Sequence, residues 1–73
     1  MASPKATKLA LKLEYARQEL KRIVDDESAF RIRVAGLSAD EQAKALEWFY
    51  RVRDKQKTRL QQLESELEKE LFT

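Results

Sequence analysis

The sequence predicts an all-α protein: an antiparallel two-helix hairpin that self-associates into a four-helix bundle. Three observations favour this fold class. Ala, Glu, Lys, Leu and Arg supply 43 of the 73 residues, well above the roughly 50% that is typical of long helices and coiled coils. A single Gly and a single Pro leave few places for turns. Apolar residues recur at steps of three and four on both sides of the lone glycine, Gly36.

The first helix is predicted over residues 4–35. Ser3 can cap its N-terminus, and Pro4 suits the first helical position, where its missing N–H costs no hydrogen bond. The apolar seam of this helix consists of Leu9, Leu13, Ala16, Leu20, Ile23, Phe30 and Val34, with Glu27 at one apolar position. The acidic triplet Asp25-Asp26-Glu27 offers an alternative, in which it caps a separate short helix. The continuous register of the seam favours one helix.

The turn is predicted at residues 36–38 and the second helix at residues 39–72, in a single domain that covers 1–73. Gly36 suits the left-handed C-terminal cap of helix 1, because glycine adopts that conformation without steric cost. Ser38 and Glu41 form an S-x-x-E capping box, which contributes about 1 kcal/mol. The inner face of helix 2 is predicted to carry Ala43, Leu46, Phe49 or Tyr50, Leu60, Leu63, Leu67 and Leu71, with Arg53 and Gln56 or Lys57 in the middle.

The charge pattern supports antiparallel pairing of the two helices. Folding back at the turn places the N-terminal lysines Lys5, Lys8 and Lys12 beside Glu64, Glu66, Glu68 and Glu70. The acidic triplet at 25–27 then approaches Lys44 and Arg51. Each exposed pair contributes only ~0.2–1 kcal/mol, so the charges select orientation more than they stabilise the fold.

A second apolar stripe predicts self-association. Ala45, Trp48 and Val52 lie on helix 2 away from its main seam, and Val24 and Ile32 lie away from the seam of helix 1. A lone pair of helices leaves these side chains uncovered. A C2 dimer of hairpins is the simplest closed arrangement, so we expect a homodimer.

Composition excludes several classes of function. The chain has no Cys and no His, so it lacks thiol chemistry, thiolate metal ligands and histidine bases, and its four serines have no recognisable activating context. We therefore expect no enzyme activity, no cofactor and no metal site. A Cys-free chain fits the reducing cytoplasm. Lysines interrupt the N-terminal apolar residues, so we expect no membrane-spanning or secretion segment.

The block Trp48-Phe49-Tyr50 is the leading candidate for a partner surface. It spans about 200° of helix surface, so its rings cannot all enter one seam. Trp, Tyr and Arg dominate protein–protein hot spots. We predict a small non-enzymatic interaction protein, of adaptor, chaperone-like or regulatory type, that binds a larger protein through Trp48, Val52, Tyr50 and Ile32. The competing interpretation is that Trp48 sits in the dimer contact.

A basic belt halfway along the hairpin supports the alternative function, a small regulator that binds nucleic acid. It would consist of Arg17, Lys21, Arg22, Arg51, Arg53 and Lys57. Charge and neighbouring aromatic rings together suit phosphates and bases. The competing interpretation is a solvated face, in which Glu14, Glu19 and Asp54 neutralise part of the belt. A net charge of +2 is too small to indicate a polyanion partner by itself.

The predicted architecture resembles small helical hairpins of bacteria and phages that act as secretion chaperones, adaptors or regulators. The segment from Leu37-Ser38 through Leu46 to Phe49-Tyr50-Arg51 resembles the second helix of the small phycobilisome-degradation adaptors. Helix 1 is longer than theirs and its residues do not follow their pattern, so no binding residue is carried over. Similar architecture does not imply similar function.

Overall fold

The computed structural model describes residues 3–72, which form three α-helices and no strand. Helix α1 spans Pro4–Asp25, α2 spans Glu27–Val34 and α3 spans Ala39–Phe72. The all-α class and the bounds of the last helix are as predicted. The two-helix hairpin is wrong in its number of helices, because the first predicted helix is divided at Asp26.

The break between α1 and α2 is a single residue. Asp26 has φ −82° and ψ −6°, whereas an ideal helix has ψ near −42°. The hydrogen-bond ladder continues across it: the Asp26 N–H donates to the Arg22 carbonyl and the Phe30 N–H donates to the Asp26 carbonyl, both at 2.9 Å. The Asp26 side chain makes no capping bond. One continuous helix over 4–35 is therefore wrong, and the physical cause is a local change of ψ at aspartate, a poor residue for helix interiors.

The two predicted helix starts are confirmed by their capping bonds. The Ala6 N–H donates to Ser3 Oγ at 3.1 Å, with Pro4 at the first helical position. The Glu41 N–H donates to Ser38 Oγ at 3.3 Å. In an ideal capping box the glutamate accepts from the serine backbone N–H, whereas here Glu41 Oε1 accepts from the Ser38 hydroxyl at 2.9 Å.

The turn is closed by a glutamine instead of a left-handed glycine. Neither Gly36 nor any other residue of 3–72 has a positive φ, so the predicted glycine cap is wrong. The Leu37 N–H donates to the Val34 carbonyl at 3.0 Å. From α3, Gln42 Nε2 donates to the carbonyls of Ala35 at 3.0 Å and Leu37 at 2.9 Å. These bonds satisfy carbonyl groups that a helix end leaves without partners.

Helices α1 and α3 pack side by side and run in opposite directions. Lys5 Nζ lies 3.2 Å from Glu70 Oε1, and Arg17 Nη2 lies 3.7 Å from Glu64 Oε1, so the start of α1 adjoins the end of α3. The buried cluster between them consists of Leu9, Leu13, Ala16 and Leu63, with Leu60 and Leu67 packed against it. Toward the turn, Val34 and Phe49 are also buried.

Two predicted inner-face residues and one charge pairing differ in the structure. Ala43 is exposed, whereas its neighbour Gln42 is partly buried and donates to the carbonyls of the turn. Leu71 is exposed because it lies beyond Glu70, which already pairs with the first turn of α1. The predicted approach of the acidic triplet to Lys44 and Arg51 gives no ion pair: Glu27 pairs with Arg31 and Arg51 with Glu47 within their own helices, since neighbours one turn apart reach each other first.

The Cα atoms occupy a slab of 55 × 16 × 12 Å, one layer of helices thick. Each of its two broad faces consists of one side of α1 next to one side of α3. Across residues 3–72, none of the helices combines the length and the apolar character needed to cross a membrane.

Candidate interaction surface

A groove lies between α3 and the junction of α1 with α2, on one broad face of the slab. Its volume is about 350 Å³. Its apolar lining consists of Ile23, Phe30, Trp48, Phe49 and Val52, and we call it the aromatic groove. Asp26 and Arg33 contribute one negative and one positive charge to the same lining. The break at Asp26 therefore lies in the wall of the groove.

Three aromatic rings give the groove a firm base and an exposed wall. Phe49 is buried, and the Phe30 ring stacks on it with centroids 4.8 Å apart. The Trp48 ring lies 6.4 Å from Phe30, tilted by 39°, and the residue is 59% exposed. Trp48 is thus a large apolar side chain that rests on a packed aromatic pair while much of its surface faces solvent. Such a ring loses little conformational entropy when a partner covers it.

A more polar depression of about 190 Å³ continues the groove along the same face. Its lining consists of Lys12, Tyr15, Ala16, Glu19, Gln56 and Arg59, and we call it the polar extension. Gln56 follows Val52 by one turn of α3, and Glu19 precedes Ile23 by one turn of α1, so the two depressions adjoin. Gln56 Oε1 is buried and accepts no hydrogen bond from the part of the chain that the structure describes.

The structure brings two of the four predicted partner-binding residues together. Trp48 and Val52 line the aromatic groove. Tyr50 lies on the other edge of α3, where its hydroxyl accepts a hydrogen bond from Arg31 and its ring lies 4.7 Å from the Arg53 guanidinium carbon. Ile32 is 75% exposed and lines neither the groove nor its extension.

Four residues of the groove were not predicted as part of a site, and Phe49 was predicted in two roles, as a member of the aromatic block and as one of two candidates for the inner face. Ile23 and Phe30 were assigned to the helix seam, and both are only partly buried there. The available signal was the position of Phe30 opposite the aromatic block in an antiparallel pair, which predicts ring contacts at this level. Asp26 and Arg33 had no such signal, because their place in the wall depends on the direction that α2 takes after the break.

The basic belt is largely paired with acidic side chains. Its ion pairs are Arg17–Glu64 at 3.7 Å, Arg22–Glu19 at 3.7 Å, Arg51–Glu47 at 2.7 Å and Arg53–Asp54 at 3.2 Å. Lys21 and Lys57 form no ion pair with residues 3–72. The local positive charge that a polyanion would meet is therefore smaller than the sequence suggests.

Neither the large open depression on α3 nor the acidic side chains of residues 3–72 provide a binding site. A more open depression of about 670 Å³ runs along the exposed face of α3 between Glu47 and Gln62, with mostly charged and polar walls from a single helix. Within the described range 3–72, no three acidic side chains are arranged to hold a metal ion.

Comparisons of this chain with protein-family models, with curated proteins and with solved structures found no match.

Proposed function

We propose that the chain is a small non-enzymatic helical interaction protein, of adaptor, chaperone-like or regulatory type, acting in the cytoplasm. It binds an amphipathic helix of a larger protein in the aromatic groove. The observation that carries this proposal is Trp48, which is 59% exposed although it rests on the Phe30–Phe49 stack. A soluble chain that keeps a tryptophan in this setting gains from a partner that covers it.

The shape and chemistry of the groove suit a helix better than a small polar ligand. Amphipathic helices bind grooves through apolar side chains spaced one turn apart. Trp48 and Val52 present such a spacing on α3, with Ile23 and Phe30 on the facing wall. Covering one large apolar side chain contributes about 1.5–3 kcal/mol, and buried tryptophans are frequent hot spots. Asp26 and Arg33 can orient the incoming helix through its charges.

Self-association into a four-helix bundle is part of the proposal. The slab is 12 Å thick, one layer of helices, whereas stable domains bury their apolar faces between two layers. A homodimer supplies the second layer with no other component.

Nucleic-acid binding is the alternative and has less support. Four of the six belt residues already pair with acidic side chains. A polyanion would have to displace those acids or rely on Lys21 and Lys57. Its affinity would fall steeply as salt rises, because binding releases counterions from the phosphates.

The test is affinity capture on the immobilised protein, followed by identification of the bound proteins and measurement of their isolated amphipathic helices by calorimetry. We expect Trp48→Ala to weaken binding of the cognate helix by about 30-fold or more, which corresponds to ~2 kcal/mol at a hot spot. Ile32→Ala is the matched control, since Ile32 is more exposed than Trp48 but lies outside the groove.

Equal losses for Trp48→Ala and Ile32→Ala would contradict a groove-specific site. Capture that survives Trp48→Ala but disappears with Arg53→Glu and Lys57→Glu, and that collapses between about 50 and 200 mM salt, would favour the nucleic-acid alternative.

A further inference from the structure

We infer that a second copy of this chain occupies the aromatic groove. Two slabs meet by their grooved faces, reversed end for end about a two-fold axis near Gln56, so that the aromatic groove of each copy lies over the polar extension of the other. The inference rests on the proposed function, because it takes the groove to be an interaction surface. It states what occupies the aromatic groove when no larger protein is bound.

The exposed area is large enough for a second copy to cover a whole broad face. The chain exposes 5980 Å². A compact monomer of 8.6 kDa exposes roughly 4,700 Å², so about 1,300 Å² is in excess. A standard interface buries about 800 Å² on each partner, and a face of 55 × 16 Å supplies roughly that area. The aromatic groove alone is too small, so the contact must extend along the slab.

We place the centre of that contact at Gln56, which lines the polar extension. It lies at the middle of α3, and its buried Oε1 accepts no hydrogen bond from residues 3–72. An unpaired buried carbonyl costs about 1–3 kcal/mol. Because Oε1 is enclosed by its own chain, the Gln56 side chain must change rotamer to bring its carboxamide to the face. A carboxamide carries both a donor and an acceptor, so two Gln56 side chains turned outward at a two-fold axis can satisfy each other. A polar residue at such a position also fixes the register of packed helices.

The charges on the face select the reversed orientation. Lys12 lies in the polar extension and Asp26 in the aromatic groove, and neither forms an ion pair with residues 3–72. End-for-end reversal about Gln56 brings Lys12 of one copy to the level of Asp26 of the other, and this pair occurs twice. It also brings the two Glu19 side chains to one level, where each is paired with Arg22 of its own copy at 3.7 Å. With the copies parallel, Lys12 and Arg59 of the two extensions would face each other, and like charges across an interface are repulsive.

This arrangement has a consequence for regulation. The second copy covers Trp48, so the groove is closed to other proteins in the homodimer. A helix of a larger protein must displace the second copy before it binds. Its apparent affinity will therefore fall as the concentration of the free protein rises.

The first test exchanges the charges of Lys12 and Asp26 and measures the dimer dissociation constant by sedimentation. We expect Lys12→Glu and Asp26→Lys each to weaken the dimer about 10-fold, because each places like charges together twice. The double variant restores the opposite-charge pairs and should regain most of the wild-type affinity. Within one chain the two residues lie 14 positions apart, Lys12 on α1 and Asp26 at the break that follows it, and cannot compensate each other. Lys21→Glu is the matched control, since it makes the same charge change outside the grooved face.

The second test uses Trp48, the only tryptophan of the chain, and needs no variant. Across a dilution series of the wild-type protein, its fluorescence emission should move to shorter wavelength as sedimentation detects the dimer. A dimer that forms without any change in Trp48 emission would overturn the inference, as would a double charge variant as weak as the singles. A protein that stays monomeric at all concentrations would also overturn it. The binding of partner helices through Trp48 is tested separately, by the capture and calorimetry experiment.

Discussion

Individual residues at the turn behave differently from what their types predict. Gly36 is the one residue that could have adopted a left-handed conformation cheaply, yet its φ is not positive. A Cβ added there would meet nothing within 4 Å. The bonds that close the turn come from Gln42, which lies one turn into the next helix. Glycine at 36 is therefore tolerated by the turn but is not required by it.

We expect Gly36→Ala to raise the free energy of unfolding by about 0.4–1 kcal/mol, because alanine restricts the unfolded chain and costs nothing in the folded one. Chemical denaturation measures the change. Ala35→Gly is the reverse control and should lower the free energy of unfolding, since Ala35 has ordinary helical angles. A destabilised Gly36→Ala protein would show that Gly36 adopts a left-handed conformation after all.

Ser38 is the residue on which the start of α3 depends. We expect Ser38→Ala to lower the free energy of unfolding by about 1 kcal/mol, because the Glu41 N–H then loses its partner. Thermal and denaturant unfolding both report this loss. Ser65→Ala makes the same chemical change inside α3 and should be neutral or slightly stabilising, since alanine has the higher helix propensity. Equal effects of the two substitutions would mean that Ser38 does not act as a cap.

Among the elements, α2 has the least support. It has eight residues, too few for a stable helix in isolation. Its attachment to α3 consists mainly of Phe30 on Phe49, the buried Val34 and the contacts of Arg31 with Tyr50. α1, in contrast, contributes Leu9, Leu13 and Ala16 to the main buried cluster. The wall of the aromatic groove is thus partly built by the weakest element.

We expect the amides of α2 to lose protection from hydrogen exchange first, before those of α1 around its buried leucines, because local opening of α2 breaks few apolar contacts. Residue-resolved exchange by NMR measures the difference. Addition of a groove-binding helix should slow exchange in α2 most. Equal protection in α1 and α2 without any partner would contradict this view of α2.

At the scale of the whole molecule, one layer of helices leaves much apolar surface exposed. Leu11 and Tyr15 of α1 are 61% and 72% exposed, and Trp48 is 59% exposed. Among residues 3–72, no large side chain is fully buried. The stability of the fold should therefore depend on what covers the slab.

We expect the melting temperature to rise with protein concentration, because a dimer that unfolds to two chains gains stability by mass action, ~1.4 kcal/mol for each tenfold increase. Scanning calorimetry over about a hundredfold range of concentration measures the effect. The double charge variant of Lys12 and Asp26 should follow the wild type, and each single variant should melt lower at every concentration. A melting temperature independent of concentration would mean that the single layer is stable alone.

The candidate site was predictable in part. The aromatic block and the stripe with Val52 follow from helical periodicity, so Trp48 and Val52 could be identified from the sequence. Tyr50 and Ile32 could not be separated from them, because their distance from the groove depends on which edge of each helix faces the neighbour. The extent to which acidic side chains neutralise the basic belt could not be predicted either, since it depends on ion pairs such as Arg17–Glu64 between distant parts of the chain.

The sequence by itself determined the helical class, the starts at Pro4 and Ala39, and the buried leucines of α1, because caps and apolar periodicity act over one or two turns. Tertiary structure alone decided the break at Asp26, the closure of the turn by Gln42 and the aromatic groove. Each of these depends on how a short helix is directed against α3, and a small change of ψ at one residue alters that direction without any signature in the local pattern.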